Sequence, residues 1–197
     1  ASITYNLEFL DNDTIAVNID VGGGTFWQFK LIRAGVVTTP LTGTWQLANE
    51  GGALGVGPSL GDVSWWNCDP ACVTGRACYY DDLYVFGADG SFQNVPGAET
   101  WIEGWQGGGD SCGTPVAPHD GSIPATYSYD GGAGTFTLNG KGSYIGLPKA
   151  VNGSEISDPN AAPDAVVYNV TFADANTINV SIDVGGGTYW QYKLVKI

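Results

Sequence analysis

The sequence predicts an all-β protein, an antiparallel meander of about eight or nine short strands that closes as a barrel or folds as a two-sheet sandwich. Three observations carry this reading. Charged residues make up only 14% of the 197-residue chain, Gly numbers 30, and Thr, Val and aromatics are abundant, which is the composition of strands and turns. Apolar and polar residues alternate in short runs that end at Gly, Asn or Asp. No segment shows a convincing 3.6 period, although residues 47–54 have room for a turn of helix. The third observation is that one three-strand pattern occurs twice.

Residues 5–31 read YNLEFLDNDTIAVNIDVGGGTFWQFKL and residues 168–194 read YNVTFADANTINVSIDVGGGTYWQYKL. The offset is a constant 163 residues, ungapped from residues 3–33 to 166–196, and 18 of those 31 positions are identical. In each copy an alternating run reaches an Asx-containing turn, a second strand follows, three consecutive glycines break it, and a third strand completes the unit. The glycine triplet lies between strands and not before a helix, so it reads as a turn or bulge and not as a phosphate cradle. Two arrangements produce such a repeat, tandem modules in a longer parent or one domain that uses the same hairpin twice, and the domain-sized offset favours the first. Residues 1–33 then form the closing hairpin strands of a preceding repeat, packed on the next module or swapped into a neighbour, and residues 34–197 form a complete β module. Met is absent, also at position 1, which fits a processed or excised piece of a longer protein.

Between the copies, residues 34–40 read as a linker and residues 42–47 as the module's first strand. Strands are expected at residues 79–86 and 91–95, with 88–90 as the turn between them, and at 100–105. Residues 107–124 form a long loop, 126–129 and 135–138 a hairpin around Asp130-Gly131-Gly132, and 149–164 a polar loop. Trp27, Trp45 and Trp190 are assigned to the core, as large aromatics on alternating strands usually are.

Seven Lys+Arg against 20 Asp+Glu give a net charge of −13. Such a surface repels phosphate backbones and anionic lipid, and no apolar run approaches the ~18–20 residues that span a bilayer, so neither nucleic acid nor membrane insertion is expected. The even set Cys68, Cys72, Cys78 and Cys112 fits two disulfides and an extracellular or cell-surface location. Of the three possible pairings, Cys68–Cys72 with Cys78–Cys112 is favoured. Their spacing matches no zinc finger or ribbon. Asp11-Asn12-Asp13, Asp81-Asp82 and Asp110 offer oxygen ligands for structural calcium, but no twelve-residue calcium loop occurs and Asx-rich turns form without metal. No cofactor is expected.

The middle of the chain concentrates aromatics beside polar groups. Trp65, Trp66, Arg76, Tyr80, Trp101, Glu103 and Trp105 are the candidate ligand-binding residues. Sugar rings stack their C–H faces on aromatic planes while hydroxyls need hydrogen-bonding partners at the rim. On one extended strand Trp101, Glu103 and Trp105 share a face and Ile102 takes the other. Of the adjacent pair Trp65-Trp66, at least one is expected at the surface. With few cations present, a neutral polysaccharide suits this region better than an anionic one.

The words TGTWQLANEGGALGVGP, GDVSWW, RACYYDDLYVFGADGSFQNV, ETWIEGWQ and CGTPVAPHDGSIPATYSYD resemble a lipocalin-like accessory module of secreted proteins from marine polysaccharide-degrading bacteria. Such modules sit beside family 16 glycoside hydrolases (laminarinases) or in surface glycan-binding proteins. The resemblance covers residues 42–197 and implies a neutral glycan partner, β-1,3-glucan of the laminarin type, with neighbouring domains in the parent protein. The Cys68/Cys72 insert departs from that pattern.

An enzyme reading lacks its machinery. Glu99 and Glu103, four residues apart on a strand, would stand about 13 Å apart, wider than a glycosidase pair. The Glu-x-Asp-x-x-Glu pattern of β-glucanases is absent. His119 stands without a nucleophile elbow and reads as an ordinary loop residue. The chain is therefore expected to be a non-catalytic carbohydrate-binding module. The alternative is a structural spacer or adhesin repeat, and a pocket for a small apolar ligand would require an open barrel mouth.

Overall fold

The computed structural model describes residues 3–11, 14–32 and 38–197. Residue 33 and most of the expected linker, and with them Asn12 and Asp13 of the candidate calcium turn, lie outside the described residues. The chain forms two compact units, residues 1–36 and 37–197.

The first unit is a three-stranded antiparallel sheet of β1 (Asn6–Phe9), β2 (Thr14–Gly22) and β3 (Thr25–Ile32) in that order. Val17 faces Leu7 on one side and Phe29 on the other. The glycine turn is as the sequence predicts: Gly22, Gly23 and Gly24 all have positive φ, and Gly22 N–H donates to Asp20 Oδ1 at 2.7 Å. Trp27 does not fill a core. It is 58% exposed, because the face it shares with Leu7, Phe29 and Leu31 has nothing packed across it within this unit.

The second unit is an eight-stranded antiparallel barrel, which decides between barrel and sandwich. Its strands are β4 (Gly43–Leu47), β7 (Leu83–Phe86), β8 (Ser91–Val95), β11 (Ala125–Asp130), β12 (Thr135–Asn139), β15 (Ala165–Asp174), β16 (Thr177–Asp183) and β17 (Tyr189–Lys196). Each pairs with the next, and β17 pairs with β4 to close the ring. Closure leaves the barrel strands no free edge along most of their length. The N-terminal half of β17 pairs instead with β5 (Leu54–Gly57), which carries β6 (Trp66–Asn67) on its other side. Two short hairpins lie outside the ring, β9 (Thr100–Ile102) with β10 (Ser111–Gly113) and β13 (Ala150–Val151) with β14 (Ser154–Glu155).

Several local expectations need correction. Residues 79–86 are not one strand: α1 (Pro70–Gly75) and α2 (Ala77–Tyr80) precede β7. Asp69 accepts from Cys72 N–H at 2.8 Å and Pro70 sits in the first turn, so this helix is started by its cap and not by an apolar period too short to read. Residues 47–54 hold turns and no helix, the 107–124 loop contains β10, and the 149–164 loop contains the β13–β14 hairpin. The disulfides are Cys68–Cys72 and Cys78–Cys112, the favoured pairing, and they place the chain in an oxidising compartment. Among the described residues no helix is long and apolar enough to cross a membrane.

The barrel interior is filled by its own chain. The segment Tyr144-Ile145-Gly146-Leu147 is buried, and four consecutive backbone amides on it are taken by wall side chains. Tyr144 N–H donates to Asn94 Oδ1 at 3.2 Å, and Asn94 Nδ2 donates back to the Tyr144 carbonyl at 2.7 Å. The amides of Ile145, Gly146 and Leu147 donate to the hydroxyls of Tyr168 (2.9 Å), Tyr84 (3.0 Å) and Tyr192 (3.3 Å). A buried loop needs such partners, since an unpaired buried amide costs about 1–3 kcal/mol. Gly146 has φ +70° and a Cβ there would overlap the Tyr192 ring, so only glycine fits the passage. The plug fills the space that a ligand inside the barrel would need.

Candidate functional site

The two disulfides and the helices between them build one end of the site. Cys78 on α2 is tied to Cys112 on β10, and Cys112 pairs across the hairpin with Trp101 on β9. Arg76, at the junction of the helices, is thereby held with its guanidinium 4.3 Å from the Trp101 ring centre and 5.8 Å from that of Trp66. Trp66 pairs with Val56, and Val56 pairs with Trp190 on β17, so the three stand in one cross-strand row. The indoles of Trp66 and Trp190 meet edge to face, centroids 6.1 Å apart.

From Trp190 the strip continues through charge. Lys149 Nζ lies 5.3 Å from the Trp190 ring centre, 3.0 Å from Glu103 Oε1 and 3.9 Å from Glu155 Oε2. Trp190 Nε1 donates to Glu155 Oε1 at 2.6 Å, and Trp105 Nε1 donates to Glu103 Oε2 at 2.8 Å. A single connected strip therefore runs Trp101, Arg76, Trp66, Trp190, Lys149, Glu103, Trp105. Both oxygens of Glu103 are engaged, so its carboxylate positions its neighbours.

Five of the seven predicted residues (Trp66, Arg76, Trp101, Glu103 and Trp105) meet in this strip, but their arrangement differs from a flat strand. β9 ends at Ile102, and a 3₁₀ turn at Gly104–Gln106 returns Trp105 to Glu103. Glu103 N–H donates to Gln106 Oε1 at 3.1 Å and helps fix that turn. Trp65 and Trp66 are both exposed, at 56% and 39%, though the contacts joining the strip do not run through Trp65. Tyr80 belongs elsewhere. It is buried in the core against Tyr79, where burial pushes its hydroxyl up to about 12. Trp190, assigned to the core, is buried and also the centre of the strip, while Trp45 is a core residue whose Nε1 donates to the Leu41 carbonyl.

Lys149 and Glu155 join the strip although the sequence singles out neither, since both lie in the polar stretch 149–164. A second unforeseen feature is a cleft of about 470 Å³ between the segments flanking β5 (Gly52, Ala53, Leu60, Gly61 and Val63) and the outer face of β15–β17. Asn169, Thr171, Asn179, Ser181, Gln191 and Lys193 line its barrel side.

Two buried titratable groups lie near the strip without joining its surface. Asp82 accepts from Thr100 Oγ1 at 2.6 Å, and burial pushes its carboxyl up to about 8. His119 lies in a loop, as the sequence predicts, and is buried there. It is buried between the rings of Trp105 and Tyr144, and desolvation pushes its imidazole down to about 4. Among the described residues, no group of three or more His, Cys, Asp or Glu side chains is arranged to hold a metal ion.

Fold and site together define an eight-stranded, self-plugged antiparallel barrel with a connected aromatic and charged strip centred on Trp190, which shares the inward-facing side of β17 with Tyr192 and Leu194. Compared with known proteins, the chain matches no family model and no curated protein.

Proposed function

We propose that the barrel is a non-catalytic carbohydrate-binding module for a neutral polysaccharide of the β-1,3-glucan type, working outside the cell in a secreted or surface protein. One observation carries the reading: the strip offers tryptophan rings beside hydrogen-bonding carboxylates and a lysine whose positions are locked by one another. Indole faces take the apolar faces of pyranose rings, and Lys149 and Glu155 take hydroxyls, with Glu103 holding Lys149 and Trp105 in place. The filled barrel interior favours an external, chain-following ligand over an enclosed one. A net charge of −13, with Arg76 and Lys149 already engaged inside the strip, disfavours alginate-like polyanions. The resemblance to modules found beside laminarinases points to the same substrate class.

The test is titration with laminarin, a mixed-linkage β-glucan and alginate, followed by intrinsic tryptophan fluorescence. The expected result is a saturable shift with the neutral glucans alone, lost in Trp101→Ala and Trp105→Ala. No response to any glycan favours the spacer or adhesin reading, which the repeated sequence of residues 3–33 and 166–196 also supports.

A further inference from the structure

The N-terminal sheet repeats the three strands that close the barrel. Its pairing register is that of the C-terminal copy: Val17 faces Leu7 and Phe29 as Val180 faces Val170 and Tyr192. The turns match too, since Gly185 N–H donates to Asp183 Oδ1 at 2.7 Å as Gly22 N–H does to Asp20. In the C-terminal copy the apolar face lies on the plug and core, and Tyr168, Val170, Val180, Tyr192 and Leu194 are buried. Both outer edges are also used there, β15 by β12 and β17 by β4 and β5. On the corresponding face of β1–β3 the central Val17 is buried among its neighbours, but Tyr5, Leu7, Phe9, Trp27, Phe29 and Leu31 around it are between 44% and 78% exposed. Within its own sheet, β1 and β3 each have one unpaired edge. A bare apolar face between two open strand edges is an interaction surface.

We propose that this surface binds a barrel body of the same type as residues 43–155 that lacks its own three closing strands. The second sheet of this very chain, seated on such a body, shows the complementary partner: core residues under the face, a β12-like edge beside β1 and a β4-like edge beside β3. Tyr5 keeps the hydroxyl that in Tyr168 receives the Ile145 amide. Stoichiometry argues against a second copy of this chain. Each copy holds two closing sheets and one body, so adding a copy adds another surplus sheet and no vacant slot. A tandem neighbour whose closing strands are supplied from the following segment provides the slot.

The full chain can present its own body as the probe. Val180 is fully buried, so Val180→Asp ejects the C-terminal sheet from the slot. The N-terminal sheet can then enter it. Lys196 pairs with Trp45 at the start of β4, and position 33 corresponds to 196, so residues 34–42 would join two antiparallel neighbours. The expected result is that Val180→Asp keeps a cooperative thermal transition and at least about half of the wild-type near-UV circular dichroism. Val17→Asp alone leaves the barrel transition unchanged, and the double variant loses both signals. The proposal is overturned if Val180→Asp loses tertiary structure as completely as the double variant. It is equally overturned if the wild type sediments as a dimer that Val17→Asp dissociates, because a second copy then covers the face.

Discussion

The two copies of the repeat carry nearly the same residues in the same register and reach opposite environments. Tyr192 is 1% exposed and Phe29, its counterpart, is 44% exposed. The comparison separates what a segment dictates from what its surroundings dictate. Alternation, Asx-anchored turns and three left-handed glycines suffice to set strands and register twice over. Burial, and with it the energy of the apolar face, comes from the body placed across it.

The largest expected difference lies at that matched pair. Tyr192→Ala removes a core ring and leaves the Leu147 amide without its hydroxyl, and should lower barrel stability by about 3–5 kcal/mol in chemical denaturation. Phe29→Ala should change the same transition by less than ~0.5 kcal/mol. Similar losses from both variants would show that the two units unfold as one.

A smaller contrast isolates one hydrogen bond. Tyr168→Phe keeps the ring but leaves the Ile145 amide unpaired, for an expected loss of about 1–3 kcal/mol. Tyr5→Phe should be silent in the barrel transition. Equal effects, or none in either, would mean that the plug is not held by the wall tyrosines.

The mildest effect is a pH dependence that belongs to the barrel alone. The Asp82 carboxyl, pushed up to about 8, is protonated in the folded state where the unfolded chain is ionised. Its contribution is full below the ordinary carboxylate range and is lost as pH rises through 8. The His119 imidazole, pushed down to about 4, works in the opposite direction: its contribution is full above 6.5 and is lost as pH falls towards 4. Between pH 4 and 6.5 the two slopes oppose each other, so the melting temperature should be nearly flat. From 6.5 to 8 only Asp82 acts, and the melting temperature should fall by a few degrees. Asp82→Asn should remove that fall, as followed by melting curves across the range.

The comparison also shows why parts of the molecule were legible in the sequence. The strands at 43–47, 91–95, 125–130 and 135–139 and both repeat copies announced themselves by alternation and turn residues, and the cysteine spacing made the observed pairing the natural one. Trp27 and Trp190 sit in nearly identical local sequence, differing only by Phe for Tyr at two positions from Gly22 to Leu31, so nothing within reach of either predicts that one is exposed and the other buried. The short helices at Pro70–Gly75 and Ala77–Tyr80 turned Tyr80 inward, which alternation read as a strand could not foresee. Lys149 and Glu155 join the strip through contacts with Glu103 and Trp190, 46 and 35 residues away in the chain, and such pairs leave no local trace.

Exposed tryptophans occur on both units, so exposure by itself does not make a glycan site. The most direct measurement compares laminarin affinity, by calorimetric titration, for Trp66→Ala and Trp27→Ala in the full chain. Trp66 lies in the locked strip beside Arg76 and Trp190, and its loss should weaken binding about tenfold or more, the equivalent of ~1.4 kcal/mol. Trp27→Ala should stay within about twofold of the wild type. Equal losses, or a loss confined to Trp27→Ala, would contradict the assignment of glycan binding to the strip.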